Sequence, residues 1–503
     1  MNPSKAPAEP IALVGMSCRL PGGAFDTSKL WDLLINGRSG LSDIPKSRFN
    51  ADAFYHSESN KTGTINAEGG YFLEQDVRLF DNAFFGINNL EAKYMDPQQR
   101  QLLEVVYECF ESAGVTLEDA SGSNIGCYVA NFTTDFVNVQ AKDPDLYHRY
   151  SATGFGPTIL ANRISHAFNL KGPSLVLDTA CSSSLYALHI ACAALNAGEC
   201  DSAIVAGANL VQSPEAYIAM TKAGVLSSTS VSHTFDTSAD GYGRGEGVAA
   251  LYLKRLDRLN VSDPVRSVIR GTAVNSNGHT PGITMPSVDG QEAVIRKAYA
   301  ISGLPLHDTT YVESHGTGTS IGDPIEVEAI SRCFSSKSSD QPLLIGSVKP
   351  NLGHGEAVSG ITSIIKATLA LERLIIPPTI GIRDLNPKLK LKERNIRVVM
   401  TSKSWPVAAT ERISVNSFGY GGANAHVIID SARMHMPQYR QRIEKDVKNI
   451  HATMILPFSA HNTDSLTENV TANTSSKVLS KNLRDLAYTL AHRASLAHPS
   501  PLF

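Results

Sequence analysis

The chain has 503 residues, of which 42% are hydrophobic and 18% charged, with a formal net charge of −3. That length exceeds one ordinary domain, so more than one folding unit is expected, and the composition is globular rather than disordered. The charge balance excludes a broad basic field for nucleic acid or an anionic membrane, and no apolar run reaches the roughly 18 residues of a membrane span.

The first ten residues are polar and Pro-rich, without the basic and apolar regions of a secretory signal. Seven cysteines are scattered without CxxC spacing. Neither a disulfide framework nor a metal site is expected, and a reducing, cytoplasmic setting fits best. The run Ile11-Ala12-Leu13-Val14-Gly15 reads as a buried strand, and the polar, aromatic stretch after it, through Tyr71, as loops. Residues 97–113 carry apolar side chains at helical spacing (Leu102, Leu103, Val106, Phe110, Ala113). Asp96 and Pro97 mark the start and Gly114 the stop.

Ser174-Leu175-Val176-Leu177 is a strand candidate leading into a corner, Thr179-Ala180-Cys181, and then a helix over 182–196 closed by Gly198. Residues 203–207 and 248–253 are two further strands. The charged stretch 254–264 is a seam between two halves. Beyond it the style repeats. Strands open at Val268-Ile269, Tyr311-Val312-Glu313 and 343–348, helices cover 290–301 and 359–374, and Val427-Ile428-Ile429 is the last strand. Short buried strands alternating with helices predict an α/β fold. From residue 431 the chain turns polar and basic, as in a linker, with a strand expected at 454–458, a turn at Asp464-Ser465-Leu466 and a helix at 483–493.

Cys181 stands where a strand gives way to a helix. The helix dipole and unpaired N–H groups there favour thiolate, the nucleophilic form; the plain alternative is a small buried hydrophobe. His315 and His354 lie in two Gly-rich corners, each after a strand, where α/β proteins place reactive groups. Either alone reads as a satisfied core histidine, but two in matched settings with one nucleophile-like cysteine point to chemistry. The run Asn416 to Asn424, with Gly419, Tyr420, Gly421 and Gly422, is permissive enough to present N–H groups to an oxyanion, or is simply a tight turn. The glycines of 241–247 look dinucleotide-like, yet precede a strand, so cofactor binding is not expected there.

Taken in order, Asp178-Thr179-Ala180-Cys181-Ser182-Ser183-Ser184, His315-Gly316-Thr317-Gly318-Thr319, Lys349-Pro350-Asn351-Leu352-Gly353-His354 and the 416–426 run resemble the motif set of β-ketoacyl synthases. The opening 10–23 and Met95-Asp96-Pro97-Gln98-Gln99-Arg100 resemble type I polyketide synthases, and residues 84–92 fungal, highly reducing iterative ones. The resemblance covers roughly residues 9–430.

It implies a thiolase-like fold of five α-β-α-β-α layers in two duplicated halves, 9–260 and 261–430, followed by a partial α/β linker, 431–503, like the one that joins ketosynthase to acyltransferase. It also implies a homodimer and a decarboxylative Claisen condensation, with Cys181 as acyl carrier and His315 and His354 as donors to the enolate. Lys349 is implied as a supporting charge, Thr317 and Thr319 as pantetheine contacts, and the N–H groups of Cys181 and Tyr420 as the oxyanion hole. Substrates would arrive on the phosphopantetheine of an acyl carrier protein, with no cofactor of the chain's own. No acyltransferase serine motif or carrier domain is present, so both partners are expected from elsewhere. The alternatives are a fatty-acid ketosynthase and a catalytically idle dimeric remnant or scaffold.

Overall fold

The computed structural model describes residues 9–334, 341–436, 455–460, 463–474, 483–484 and 486–491. The first half supplies strands β1 (Ile11–Arg19), β2 (Ile125–Asn131), β3 (Ser174–Leu177), β4 (Ser202–Asn209) and β5 (Gly247–Arg255). Helices α1 (Pro97–Ala113), α2 (Ile159–Ala167) and α3 (Ser183–Ala197) lie between them. The second half supplies β6 (Ser267–Ser276), β7 (Tyr311–Glu313), β8 (Leu343–Gly346), β9 (Arg412–Phe418) and β10 (Ala423–Ser431), with α4 (Val288–Ser302), α5 (Gly322–Phe334) and α6 (Ser359–Arg373).

The strands form one mixed sheet that reads as the same unit twice. The first half runs β1-β5-β4-β2-β3 and the second β6-β10-β9-β7-β8, with Ile396–Val398 added at the outer edge. In strand rank both are 1-5-4-2-3. Both also follow one sequence of pairings: antiparallel, antiparallel, parallel, parallel. The two units meet where β1 pairs antiparallel with β6 over three residues, Ile11 to Leu13.

Strand alternation then decides the layers, because successive side chains point to opposite faces. In β4, Ala203 and Val205 enter the central core while Ile204, Ala206 and Ala208 enter an outer core with Leu102, Val106 and Phe110 of α1 and Leu160 and Ile164 of α2. In β10, Ala425, Val427 and Ile429 enter that same central core, while Ile428 joins Val294, Ile295 and Ala298 of α4 and Val327 and Ile330 of α5. Helices α3 and α6 fill the centre, with Leu185, Leu188, Ile361 and Ile365 fully buried. The order is therefore outer helices, sheet, central helices, sheet, outer helices. This is a five-layer, thiolase-like architecture.

The helix predicted over 97–113 is present, N-capped by Asp96 with Pro97 at its first turn and stopped by Gly114 in the left-handed conformation. Sequence reading missed β2, α2, α5 and β9, and also the helix Thr27–Ile35 inside the stretch read as loops. At the C-terminal end, residues 455–458 form no strand, and Asp464, Ser465 and Leu466 lie in a helix, Thr463–Thr474, where a turn was expected. The expected helix over 483–493 is helical at 483–484 and 486–491, and the rest of it lies outside the described residues. No helix among the described residues is long and apolar enough to cross a membrane.

The two halves pack tightly where Gly360 of α6 passes α3. A Cβ there would sit 2.7 Å from Leu185 Cγ and 2.8 Å from Ser184 Oγ. Gly360→Val forces the central helices apart. It is expected to lower unfolding free energy by about 1–3 kcal/mol, the usual cost of overpacking, read from the urea midpoint.

Candidate active site

The corner that carries Cys181 is a strained one. Ala180 takes φ 55°, a region L-residues avoid, and residues Ala180–Ser182 form a single 3₁₀ turn ahead of α3. Neighbouring side chains hold it. Asp178 accepts from Ala180 N at 2.9 Å, and Ser183 Oγ accepts from Thr179 N at 2.8 Å and donates to Ala180 O at 2.6 Å. From the second half, Ser417 Oγ and Ser359 Oγ donate to the Cys181 carbonyl at 2.8 and 3.2 Å. Gly419 abuts the same corner: a Cβ there would lie 2.6 Å from Thr179 O.

His315 and His354 reach the same place from the corners after β7 and β8. Their rings meet edge to face at 5.5 Å, with Phe418 5.8 Å from His315. The His315 corner is fixed from below. Glu326 of α5 accepts from the His315 and Gly316 backbone N–H groups at 2.7 and 2.8 Å and from Asn416 Nδ2 at 2.9 Å; Asn416 Oδ1 bonds His426 Nδ1 at 2.7 Å. Lys349 is buried, not solvated, and its ammonium donates to the His315 carbonyl. The His354 corner is clamped by the glycine-rich 241–247 segment: His354 N donates to Gly243 O at 2.7 Å and Gly245 N to His354 O at 2.8 Å. That glycine run is thus a clamp beside a strand rather than a nucleotide cradle.

Burial sets the protonation states. Burial, then Lys349 and the other ring, push His315 well below the usual imidazole range; burial, Lys349 and Arg244 do the same for His354. Both rings are neutral. His354 Nδ1 accepts from Glu356 N at 3.1 Å, so its hydrogen is on Nε2, which has no hydrogen-bond partner among the described residues and lies 3.9 Å from Glu356 Oε2. The Cys181 thiol is pushed far up by burial and by the Glu356 carboxylate. The N–H groups of Tyr420 and Cys181 and the Lys349 charge pull the other way but do not win. The resting thiolate expected from the helix position is therefore corrected: desolvation outweighs the dipole.

Sequence reasoning missed Glu356. Its carboxylate Oε2 is 3.8 Å from Cys181 Sγ, and Cys181, His354 and Glu356 bring a sulfur, a ring nitrogen and a carboxylate oxygen within 4.8 Å of one another. With the thiol protonated and Nε2 carrying hydrogen, these atoms face one another as donors and an acceptor, not as three ligands. The other carboxylate oxygen takes the Tyr242 hydroxyl at 3.1 Å and lies 3.5 Å from Arg244 Nε. The only available signal was an acidic residue two places after His354 in a Gly-rich corner.

A cavity of about 290 Å³ joins these groups. Cys181, His315, His354, Thr317, Thr319 and Tyr420 all line it. Thr317 and Thr319 stand 3.4 Å apart at their hydroxyls, and Thr319 Oγ1 accepts from Gly322 N. Of the loop at Gly419, Tyr420, Gly421 and Gly422, only Gly419 and Tyr420 line the cavity, and the Tyr420 side chain is 46% exposed. Gly422, at φ 87°, closes the turn through Gly422 N to Gly419 O at 2.8 Å.

Comparison with known proteins places this geometry. The models of the β-ketoacyl synthase N-terminal domain, its C-terminal domain and the ketoacyl-synthetase C-terminal extension match residues 8–258, 266–383 and 386–500. The oxazolomycin ketosynthase domain of Streptomyces albus superposes with a TM-score of 0.87 at 32% identity, over 97% of this chain and 85% of that one. The chain belongs to the β-ketoacyl synthase family. The module 6 ketosynthase of the Bacillus subtilis bacillaene synthase is similar at 34% identity and a TM-score of 0.83, over 97% of this chain and 81% of that one. Among curated relatives, highly reducing polyketide synthase srdA of Neurospora crassa is 60% identical over 96% of this chain, and highly reducing polyketide synthase 19 of Pyricularia oryzae 57% identical over 98%. The ketosynthase spans about a fifth of their lengths, 21% and 20%. It is a β-ketoacyl synthase, a carbon–carbon bond-forming acyltransferase, similar over nearly its whole length to a part of fungal highly reducing polyketide synthases.

Burial of the positioning residues carries a pH signature. His426, fully buried, is held down to about 3 from an ordinary 6.5. Unfolded chains bind its proton below pH 6.5 and the folded protein does not, so its contribution is complete above 6.5 and is lost as pH falls toward 3. In His426→Asn, the fall of unfolding free energy below pH 6.5 is expected to shallow by about 1.4 kcal/mol per pH unit, measured by urea unfolding at stepped pH.

Proposed function

We propose that this ketosynthase performs the decarboxylative Claisen condensation of polyketide biosynthesis, with Cys181 as the acyl-carrying nucleophile. The observation that carries the reading is the convergence, on one cavity, of a cysteine from the first half and two neutral histidines from the second. An acyl chain is passed to Cys181 as a thioester. A malonyl thioester then loses CO₂, and its enolate attacks the Cys181-bound carbonyl, lengthening the chain by two carbons.

Two negative oxygens must be stabilised. The enolate oxygen is the target of His315 and His354, which suit it as buried, neutral donors. The tetrahedral oxyanion is the target of the Cys181 and Tyr420 N–H groups, which already face the sulfur. Removing one such donor costs about 10²–10³ in rate. Lys349 acts through the His315 backbone, as a positioning residue. Thr317 and Thr319 offer hydroxyls to a pantetheine arm, and Gly419, Tyr420, Gly421 and Gly422 form the loop over the acyl site.

Substrates are proposed to arrive on the phosphopantetheine of an acyl carrier protein, with malonyl groups loaded by an acyltransferase; the chain needs no cofactor of its own. The working division is 9–260 and 261–430 for the two halves and 431–503 for the linker toward an acyltransferase. The free thiol suits the reducing cytoplasm. The β3 edge supports a homodimer: β3 ends the sheet, and Leu175, Val176 and Leu177 are only half-buried within one chain. An unpaired apolar edge invites a second copy.

Two measurements test these readings. Intact-mass analysis after adding an acyl-pantetheine thioester is expected to show one acyl adduct, absent in Cys181→Ala. No adduct on folded protein would leave the idle-remnant reading standing. Sedimentation at micromolar concentration is expected to give a dimer, and Val176→Lys a monomer. A wild-type monomer would sink the edge-pairing reading.

A further inference from the structure

Acylating Cys181 requires that its thiol proton go somewhere. The reaction forms a bond between Cys181 Sγ and the acyl carbonyl carbon, breaks the bond from that carbon to the pantetheine sulfur, and must return a proton to the departing thiolate. The thiol is protonated at rest, so attack needs an acceptor close to the sulfur. His354 and Glu356 each bring an atom into one cluster with the sulfur, within 4.8 Å of one another, and are the two candidates that the geometry offers.

His354 is excluded by its own hydrogen bonding. Glu356 N–H donates to Nδ1, so in the neutral ring Nε2 already carries hydrogen. It can donate toward the cavity but cannot receive the thiol proton. Glu356 remains. Its Oε2 is the acceptor in the 3.8 Å contact from Cys181 Sγ.

The surroundings prepare the carboxylate for that exchange. Tyr242 and Arg244, from the 241–247 segment, face its other oxygen, and the Arg244 guanidinium is fully buried over the Tyr217 ring. Burial raises the affinity of the carboxyl for a proton while Arg244 and the Tyr242 hydroxyl restrain the rise. The backbone is committed to the contact. Glu356 takes φ 46° and Ala180 φ 55°, so both sides of the sulfur–carboxylate pair are held in a conformation that L-residues avoid.

We propose that Glu356 is the general base for Cys181: it takes the thiol proton as the sulfur attacks the incoming thioester and gives it to the departing pantetheine thiolate. The proposal rests on the reading of Cys181 as the acylated nucleophile. Atoms balance without a further reagent: an acyl thioester and a cysteine thiol become an acyl-cysteine and a pantetheine thiol, and Glu356 ends as the carboxylate it began as. Glu356 is thereby a catalytic residue, in contact with a reacting atom.

The test is the rate of acyl-adduct formation from an acyl-pantetheine thioester, followed by intact mass in the wild type, Glu356→Gln, Glu356→Ala and Cys181→Ala. Expected is a loss of about 10²-fold in Glu356→Gln, within the usual range for a general base, and partial recovery of Glu356→Ala by added formate, which a merely structural role would not give. Equal or faster acylation in Glu356→Gln would overturn the proposal, because the carboxylate would then only be suppressing the thiolate. Absence of an adduct in the wild type would instead overturn the reading of Cys181.

A wild-type measurement keeps the question open to refutation if the variants do not fold. With Glu356 as base, the acylation rate levels off with rising pH once the carboxyl is ionised. A tenfold rise per pH unit throughout pH 6–10 would mean that free thiolate attacks unaided, and would overturn the proposal.

Discussion

Two serine hydroxyls from the second half, Ser359 and Ser417, donate to the carbonyl of Cys181 in the first. Much of the site depends on that pair of bonds. The left-handed Ala180 costs roughly 1–2 kcal/mol, and two net hydrogen bonds of about 0.5–1.5 kcal/mol each are enough to offset it. The packing of the two halves thus helps to hold the nucleophile in place, and the close passage of Gly360 against Leu185 is part of that packing. A duplicated topology gives each half its own five-stranded unit, but neither half has a complete site.

Around that joint the nucleophile and both histidines are uncharged, with the Glu356 carboxylate set against the thiol. Both histidines are neutral and the thiol is protonated. Other charged groups sit one layer out and hold backbone. Glu313, paired with Lys366 at 2.7 Å, accepts from Val348 N ahead of the His354 corner. Glu246, paired with Arg48, accepts from Leu73 N and Val211 N. Buried pairs of this kind contribute little net stability, since desolvation offsets attraction. Here they fix where loop N–H groups point. Neutral donors held at buried positions can then meet an oxyanion where it forms.

How much of this was readable in the sequence follows from the range of each interaction. Helix α1 announced itself through Asp96, Pro97, Gly114 and its apolar spacing, all local. Cys181, His315 and His354 stood out because glycines and a strand–helix corner flank them. Strand β9 was missed although Ile413 and Val415 alternate with Ser414 and Asn416, because its end was read together with the glycines of 416–424 as a permissive turn. Glu356 is separated from Cys181 by 175 positions, and Glu326 from Asn416 by 90. Such contacts leave no local pattern. The thiolate expectation failed for a related reason: the dipole is visible in the sequence, whereas the desolvation that outweighs it comes from the packed halves.

The division of labour between thiol and histidines can be read most directly from CO₂ release by the intact chain acting on a malonyl-pantetheine thioester with no acyl primer. Breaking the carboxylate bond needs donors at the thioester oxygen and no sulfur nucleophile. Cys181→Ala is therefore expected to retain decarboxylation, while His354→Ala loses about 10²–10³ of it. Equal loss in both variants, or a His354→Ala protein as active as the wild type, would contradict the assignment of the histidines as enolate donors.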